Sequence, residues 1–384
     1  MNSDKIKIVL DARMINHSGI GTYIKCVIKA LLNDYDLTLI IDEQRIIDQT
    51  WLNKVKIVQC SAPIYSLREQ IRLPLEIPPC EIFLSPHYNI PLLPVKAKKR
   101  IVIIHDVNHL VFYSQLSLIQ KIYAKLFLKR ATIISDTVIT ISNFSEKEIR
   151  KYIGKISKKI NVLYYGIDDS TMGKRLQPGE SNRIRLKYNL PDNYILYVGS
   201  AKPHKNFYVL LKAFYLLLKD FPDQKLVVVG LSKSQVKQSG FLESVVLKNK
   251  ELLTSLIFTD YVPDSELPFI YKHAAFLVFS SYYEGFGLPP LEAMINYCPV
   301  IASNAAAIPE VCGNAALYFD PHSELELYKK MKIFLLDLNL RNNFVRKGAE
   351  NLARFKMESF KSKFIRIVED TLADEDDSTI TINK

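Results

Sequence analysis

Five cysteines in 384 residues, Cys26, Cys60, Cys80, Cys298 and Cys312, are too scattered for a disulfide framework. None forms a C-x-x-C pair or lies among histidines, which argues against a zinc site. Such an odd set of thiols predicts a reducing, cytoplasmic setting. Long apolar runs are also missing. Nothing approaches the length of a membrane span, and the apolar burst before Asp11 is too short for a secretory signal, so any membrane attachment is expected at the surface only. Acid is scarce as well, with 40 Asp+Glu against 51 Lys+Arg and a formal charge of +11. What is present, 48% hydrophobic and 24% charged residues, excludes a disordered chain and is enough for two cores.

The positive charge is uneven. Residues 1–170 hold 24 basic and 16 acidic residues, and 96–170 alone hold 14 against 6, whereas 171–384 hold 27 against 24. The first half is therefore the one that meets an acidic partner: nucleic acid, a phosphorylated ligand or an anionic membrane.

Short apolar runs alternate with amphipathic stretches. Ile6–Leu10, Leu37–Ile41, Ile101–Ile104, Val138–Ile141 and Ile160–Tyr164 read as strands, and the rhythm restarts at Tyr194–Val198. A helical Phe207–Leu218 follows, then strands at Lys225–Val229, Leu256–Thr259, Phe276–Phe279 and Val300–Ala302. This is the pattern of an α/β chain with two doubly wound parallel sheets in tandem. The turn-rich, charged stretch Ile167–Asn189 separates them, giving domains at 1–170 and 171–355. A helical tail runs from Leu325 to about Leu372; its last part, 356–372, is expected to pack back on the first domain before a disordered, acidic 373–384. Ligands of such sheets bind beyond the carboxyl ends of the strands, so two facing sheets would enclose a cleft.

After the first strand, Gly19-Ile20-Gly21 precedes a helix and could bring backbone amides up to phosphate or hydroxyl oxygens, or be simply a tight turn. The dinucleotide fingerprint is absent because Ile24 stands where a third glycine belongs, and no lysine sits in a P-loop. In the second half, Gly199-Ser200-Ala-Lys202-Pro-His-Lys205-Asn206 runs from a strand into a basic loop and a helix, which suits a diphosphate or a solvated turn. The most specific run is Glu284-Gly-Phe-Gly-Leu-Pro-Pro-Leu-Glu292. Its prolines fit the first turn of a helix, so Gly285–Leu288 form the loop before it, able to bind an anion through amides while both carboxylates accept hydrogen bonds from vicinal hydroxyls.

His105-Asp106-Val-Asn-His109 follows a strand; metal binding through His at i and i+4 would need a helix there, and a single histidine touching a polar substrate is the preferred reading. Asp34-Tyr-Asp36 has the spacing of metal-diphosphate sites but lies at a turn away from the binding edge. Lys121, Lys125 and Lys129 fall four apart on a helix that also carries Leu118, Ile119, Ile122, Tyr123, Leu126 and Phe127. That pattern fits a packed surface helix with a lysine stripe or a helix lying on an anionic bilayer.

EGFGLPPLE (Glu284–Glu292), the EAM and PVI runs after its strand, and Ile308-Pro-Glu310-Val occur in one order with DARMINHSGIGTY, SPHYNIP (Ser85–Pro91), HDVNH, VITISNFS (Val138–Ser145), YYGID (Tyr164–Asp168), VGSAKPHKN and DYVPDSELPFIY (Asp260–Tyr271). From about residue 5 to 368 the chain thereby resembles the retaining glycosyltransferases of family 4. The resemblance implies the GT-B fold, two Rossmann-like domains facing across a cleft. It places a nucleotide-diphosphate sugar mainly on the second domain, with Glu292 on the ribose, Glu284 on the donor sugar and Lys205 on the diphosphate. Amides of Phe286, Gly287 and Leu288 would meet phosphate and sugar, Val262 the base, His105 the donor sugar, and Gly19, Ile20 and Gly21 the diphosphate and acceptor. Glu284, His105 and Lys205 are the implied catalytic set. Many members carry arginine where this chain has Ser200, which leaves Lys205, helped by Lys202, as the counter-charge.

The implied reaction is hexosyl transfer with retention, by a front-face route needing no metal or other cofactor. The look is that of bacterial surface-polysaccharide mannosyltransferases, with GDP-mannose as donor and a lipid-linked oligosaccharide as acceptor at the inner face of the cytoplasmic membrane. UDP-hexoses, UDP-N-acetylhexosamines or dTDP-rhamnose are alternative donors, and a nucleotide-sugar epimerase of the same fold is a further alternative. A nucleic-acid partner would account for the charge but not for EGFGLPPLE.

Overall fold

The computed structural model describes residues 5–42, 51–112, 117–154, 156, 158–167, 179–232, 234–235 and 249–374. Residues 168–178 of the boundary stretch read between Ile167 and Asn189, and the tail from 375 onward, lie outside these residues. The described residues form two units: one drawn from Met1–Gly166 and Phe355–Lys384, the other from Ile167–Arg354.

The first unit contains β1 (Lys7–Asp11), α1 (Ile20–Leu31), β2 (Asp36–Ile41), β3 (Lys56–Gln59), α2 (Leu67–Glu76), β4 (Cys80–Ser85), β5 (Ala97–Ile104), α3 (Asn108–Val111), α4 (Leu118–Ile134), β6 (Thr137–Thr140), α5 (Asn143–Ile153) and β7 (Ile160–Val162). The second contains α6 (Glu180–Lys187), β8 (Tyr194–Val198), α7 (Phe207–Leu218), β9 (Lys225–Val229), α8 (Lys250–Ser255), β10 (Leu256–Asp260), α9 (Leu267–His273), β11 (Phe276–Phe279), α10 (Leu288–Ile295), β12 (Val300–Ser303), α11 (Ile308–Cys312), β13 (Ala316–Phe319), α12 (Glu324–Leu336) and α13 (Leu338–Leu352). The chain then returns to the first unit with α14 (Met357–Ala373).

Both sheets are parallel. Among the described residues the first has the order β3-β2-β1-β4-β5-β6-β7 and the second β10-β9-β8-β11-β12-β13. Central strands such as β6 (TVIT) and β11 (FLVF) are buried along their whole length, which is why they appear as continuous apolar runs rather than alternating ones. In α7 the buried Phe207, Leu210, Leu211, Phe214, Leu217 and Leu218 recur at helical spacing and pack against Phe276 and Val278 of β11 and Phe334 of α12. In each order there is one place where the chain's progress reverses: between β1 and β4, and between β8 and β11. Loops leaving the two strands at such a switch point diverge and open a crevice, the usual ligand site of doubly wound sheets.

Three strands go beyond the sequence reading: β3, β4 and β13. The continuous helix read from Leu325 to Leu372 is broken. Asp337 ends α12 and caps α13, its side chain accepting from Leu340 N–H at 2.8 Å, and extended Lys356 separates α13 from α14. α14 lies on α1, where Phe360 meets Tyr23 edge-on at 5.5 Å and Lys361 pairs with Asp34 at 2.8 Å. Asp36, the other half of the decoy Asp pair, is held by Lys56 at 2.6 Å.

Candidate active site

In the second unit the switch point lies between β8 and β11, and the loops that leave these strands are stitched together. Tyr282 N–H donates to His204 O at 2.7 Å, and the Ser280 hydroxyl donates to Lys205 O at 3.0 Å. Asn206, left-handed at φ 51, donates its side-chain amide to Pro321 O at 2.8 Å and anchors the far side of the basic loop. The outcome is that Lys205 Nζ reaches Glu284 Oε1 at 2.7 Å. Residues 79 positions apart, each singled out by the sequence, meet where the topology opens its crevice.

Gly287 caps α10 at φ 100, and a Cβ there would stand 3.2 Å from the Phe279 ring, so conformation and space both call for glycine. The first four amides of a helix have no partner within it. Pro289 and Pro290 supply none, which leaves the Gly287 and Leu288 N–H groups at this helix start. Phe286 is buried beneath the loop. Glu292 lies one turn inside α10, where its Oε2 accepts from the Tyr271 hydroxyl at 2.8 Å. Burial pushes the Glu292 carboxyl above its ordinary value and Asp264 adds to the effect, while Tyr271 opposes it. One carboxylate oxygen is thus taken by an internal donor. Tyr271 was only part of a motif in the sequence; its role could have been suspected from its place on a helix preceding β11, but its bond to Glu292 could not.

The other expected donor contacts are arranged around this core. Ser200 is half-buried and accepts a bond from Tyr197 Oη at its carbonyl (3.3 Å), and Lys202 is exposed with its carbonyl taken by Lys205 N–H. Burial and then Lys205 hold the His204 imidazole down to about 4, so it is neutral beside the ion pair. Val262 is buried just after β10, next to an exposed Tyr261.

The first unit's residues present a different picture. His105 is buried at the end of β5, with Nε2–H donating to Pro86 O at 2.9 Å and Nδ1 3.3 Å from the Tyr165 hydroxyl. Burial holds its ring at about 4, hence neutral at pH 7. His109 instead faces Tyr88 Oη at 3.2 Å from α3, so the two histidines are engaged separately. Among the described residues no group of three or more His, Cys, Asp or Glu could hold a metal ion. Gly19, with φ 72, caps α1, and a Cβ on Gly21 would lie 2.2 Å from Ile15 O. The amides of Ile20 and Gly21 already donate to Ser18 O and His17 O, so these glycines are explained by the loop's own geometry.

The sequence reading missed the buried network at the first unit's switch point. Arg13 bonds Asp11 and Glu69, each at 2.6 Å, and Glu69 also accepts from Asn89 at 2.6 Å and from Tyr65 N–H at 2.7 Å. Burial opposes the Arg13 charge, but the two carboxylates outweigh it and hold the guanidinium above its ordinary range. A cavity of about 10 Å³, room for about one water, lies against Asp11, Arg13, Glu69, His87 and Asn89.

Residues 180–351 match the family described as Glycosyl transferases group 1. Over 261 residues the chain is 30% identical to the O-antigen chain mannosyltransferase RfbU of Salmonella typhimurium, an alignment spanning 68% of this chain and 67% of that protein. Sucrose-phosphate synthase from Thermosynechococcus elongatus shares the fold with a TM-score of 0.76 at 16% identity, over 96% of this chain and 100% of that one. HepE from Anabaena, in a complex with UDP-glucose, has a TM-score of 0.71 at 15% identity, over 95% and 100%. A relationship of that identity and span, joined to the matched region and the two parallel sheets, means that the chain belongs to the glycosyl transferases of group 1 and is a glycosyltransferase of GT-B fold.

Proposed function

We propose that this chain transfers mannose from GDP-mannose, with retention and without a metal, to a lipid-linked oligosaccharide during synthesis of a bacterial surface polysaccharide. The observation that carries the reading is the meeting of Lys205 and Glu284 at the switch point, beside the amides that open α10. Similarity to an O-antigen mannosyltransferase supports the sugar and the setting, and the UDP-glucose held by HepE supports a nucleotide-sugar donor.

In this reading the bond from the anomeric carbon to the leaving diphosphate breaks while one to the acceptor oxygen forms on the same face, and the acceptor proton goes to the diphosphate. Negative charge grows on the diphosphate, and fixed donors aimed at growing charge are usually the largest single contribution to catalysis. Lys205 and the Gly287 and Leu288 amides, with Phe286 N–H, supply them, aided by Lys202 and Ser200. Before the donor arrives, Glu284 holds the ammonium of Lys205 in place. When the diphosphate takes that ammonium, Glu284 turns to the sugar hydroxyls. Glu292 accepts from the ribose, Val262 lies toward the base, neutral His105 serves a sugar hydroxyl, and the Gly19 to Gly21 loop lies toward the acceptor. A lipid-linked acceptor goes with peripheral contact at the inner face of the cytoplasmic membrane.

The test is transfer from radiolabelled GDP-mannose to lipid-linked oligosaccharides in excess chelator, with the anomeric configuration of the product read by NMR. Labelled product with an α linkage, abolished by Glu284→Ala, is expected. Transfer only from a UDP- or dTDP-sugar would replace the donor, and loss of activity in chelator would overturn the metal-free route.

A further inference from the structure

α4 packs with Ala124, Phe127, Leu128 and Ala131 toward the sheet, which leaves Leu118, Ile119, Ile122, Leu126 and Ile133 on its outer side. Ile119 is 81% exposed. An ordinary surface helix carries polar residues on its outer side, whereas this one is apolar on its outer side as well as on its packed one. At 100° per residue the exposed apolar residues fall within one sector, with Lys121 and Lys125 along one border, Lys129 inside the sector and Arg130 along the other border. No acid occurs in the helix.

α2 repeats the arrangement. Leu67, Ile71 and Leu75 recur every four residues on its exposed side, Leu67 being 87% exposed, and Arg68 and Arg72 lie beside them. Of its two acids, Glu69 is buried on Arg13, and Glu76 stands 3.9 Å from Arg72.

Strand register puts both helices on one face of the sheet. Val9 pairs with Phe83 and Phe83 with Arg100, while Val102, two residues on, pairs with Val138, so all point the same way. Leu73 and Ile77 at the end of α2 pack on Val9 and Phe83, and Phe127 and Leu128 of α4 pack on Val102 and Val138. The helices are joined at their starts, where Asn89 bonds both Glu69 of α2 and the Tyr123 hydroxyl of α4, and where the Tyr65 and Tyr123 rings lie 6.1 Å apart. Exposed Leu93 lies in the loop that Gln70 of α2 ties down through Leu92 N–H.

We propose that the outer faces of α2 and α4 together form a docking surface for an anionic lipid bilayer, with Leu67, Ile71, Leu118, Ile119 and Ile122 entering the interface and the flanking lysines and arginines meeting lipid headgroups. Apolar area and basic charge on one face are the two terms that hold a helix at such an interface. A second copy of this chain is a poor occupant, since it would bring the same basic rim against itself. The surface stands on these observations alone; that it carries the enzyme to a lipid-linked acceptor rests on the function proposed above.

The test is co-sedimentation of the full chain with vesicles of phosphatidylcholine alone or with one-third phosphatidylglycerol, with no sugar substrate present, so that its failure and a failure of the transferase reading are separate results. Binding is expected to the anionic vesicles and not to the neutral ones. A basic residue at an anionic surface is worth about fivefold in partitioning, so Lys125→Ser with Lys129→Ser should lose about 25-fold. Ile119→Asp with Ile122→Asp should abolish binding at an unchanged melting temperature, these side chains being exposed. No binding by the unaltered chain, or unaltered binding by the Ile119/Ile122 variant, overturns the proposal. So does a concentration-dependent dimer in sedimentation velocity that either variant abolishes, because the face would then belong to a second copy.

Discussion

Replacing Tyr271 by Phe removes one hydroxyl and leaves the ring. That hydroxyl donates to Glu292 at 2.8 Å, and Tyr271 is almost wholly buried, so water cannot substitute for it. A hydrogen bond to a charged group contributes about 1.5–3 kcal/mol, and losing one partner inside a protein leaves the other unsatisfied. The effect must depend on pH with a definite sign. Burial already holds the Glu292 carboxyl above its ordinary value, so the unfolded chain releases this proton first as pH rises, and the folded state loses stability through that window. The Tyr271→Phe substitution would push the carboxyl higher and deepen the loss. The variant should therefore be less stable by about 2 kcal/mol at pH 8, or roughly 4–8 °C in melting temperature for a unit of this size, with the difference shrinking toward pH 5. Scanning calorimetry at the two pH values reads this directly, and GDP titration at pH 8 should show weaker binding. Equal destabilisation at both pH values would mean that the hydroxyl acts by packing, and no destabilisation would refute the pairing.

Arg13→Met should cost about 3–5 kcal/mol in urea unfolding of the first unit, because Asp11 and Glu69 would be left buried without their cation; a cost below about 1 kcal/mol would contradict the network. Gly21→Ala places a methyl against the Ile15 carbonyl oxygen and should cost about 1–3 kcal/mol through overpacking, whereas Gly154→Ala, with open space around it but at φ 91 and ψ −152, a conformation nearly confined to glycine, should cost about 1–3 kcal/mol through backbone strain alone; thermal unfolding of either variant at wild-type temperature would contradict the assigned cause. His105 is held neutral to about 4, below its unfolded value. Its contribution is therefore full above pH 6.5 and is lost as pH falls toward 4, up to about 3 kcal/mol, and a His105→Gln variant should show a flatter acid profile.

Much of the architecture could be read from the chain because parallel sheets bury both faces of their strands. β8, β9, β11 and α7 coincide with the runs read for them. β3 was missed because it lies at an edge, largely exposed, and KIVQ carries polar ends. β4 was missed although central, because CEIFLS carries an acid at its second position and follows two prolines. The α12–α13 break had a local signal in Asp337, a cap residue inside an otherwise helical pattern, which the amphipathic rhythm concealed. Lys205, Glu284 and Glu292 stood out one by one, but their partners did not. Lys205 to Glu284 and Tyr271 to Glu292 are tertiary pairs, and sequence spacing carries no information about which side chain turns toward which. The Arg13 network was hidden for the same reason, its members coming from β1, from the loops after β1 and β4 and from α2.

The central claim, a donor site built where Lys205 meets Glu284, is tested most directly by calorimetric titration of GDP-mannose in chelator against the unaltered chain, Lys205→Ala and Glu284→Ala. The account predicts metal-free binding that Lys205→Ala weakens for both GDP and GDP-mannose and that Glu284→Ala weakens for GDP-mannose more than for GDP. Binding that neither substitution changes would contradict it.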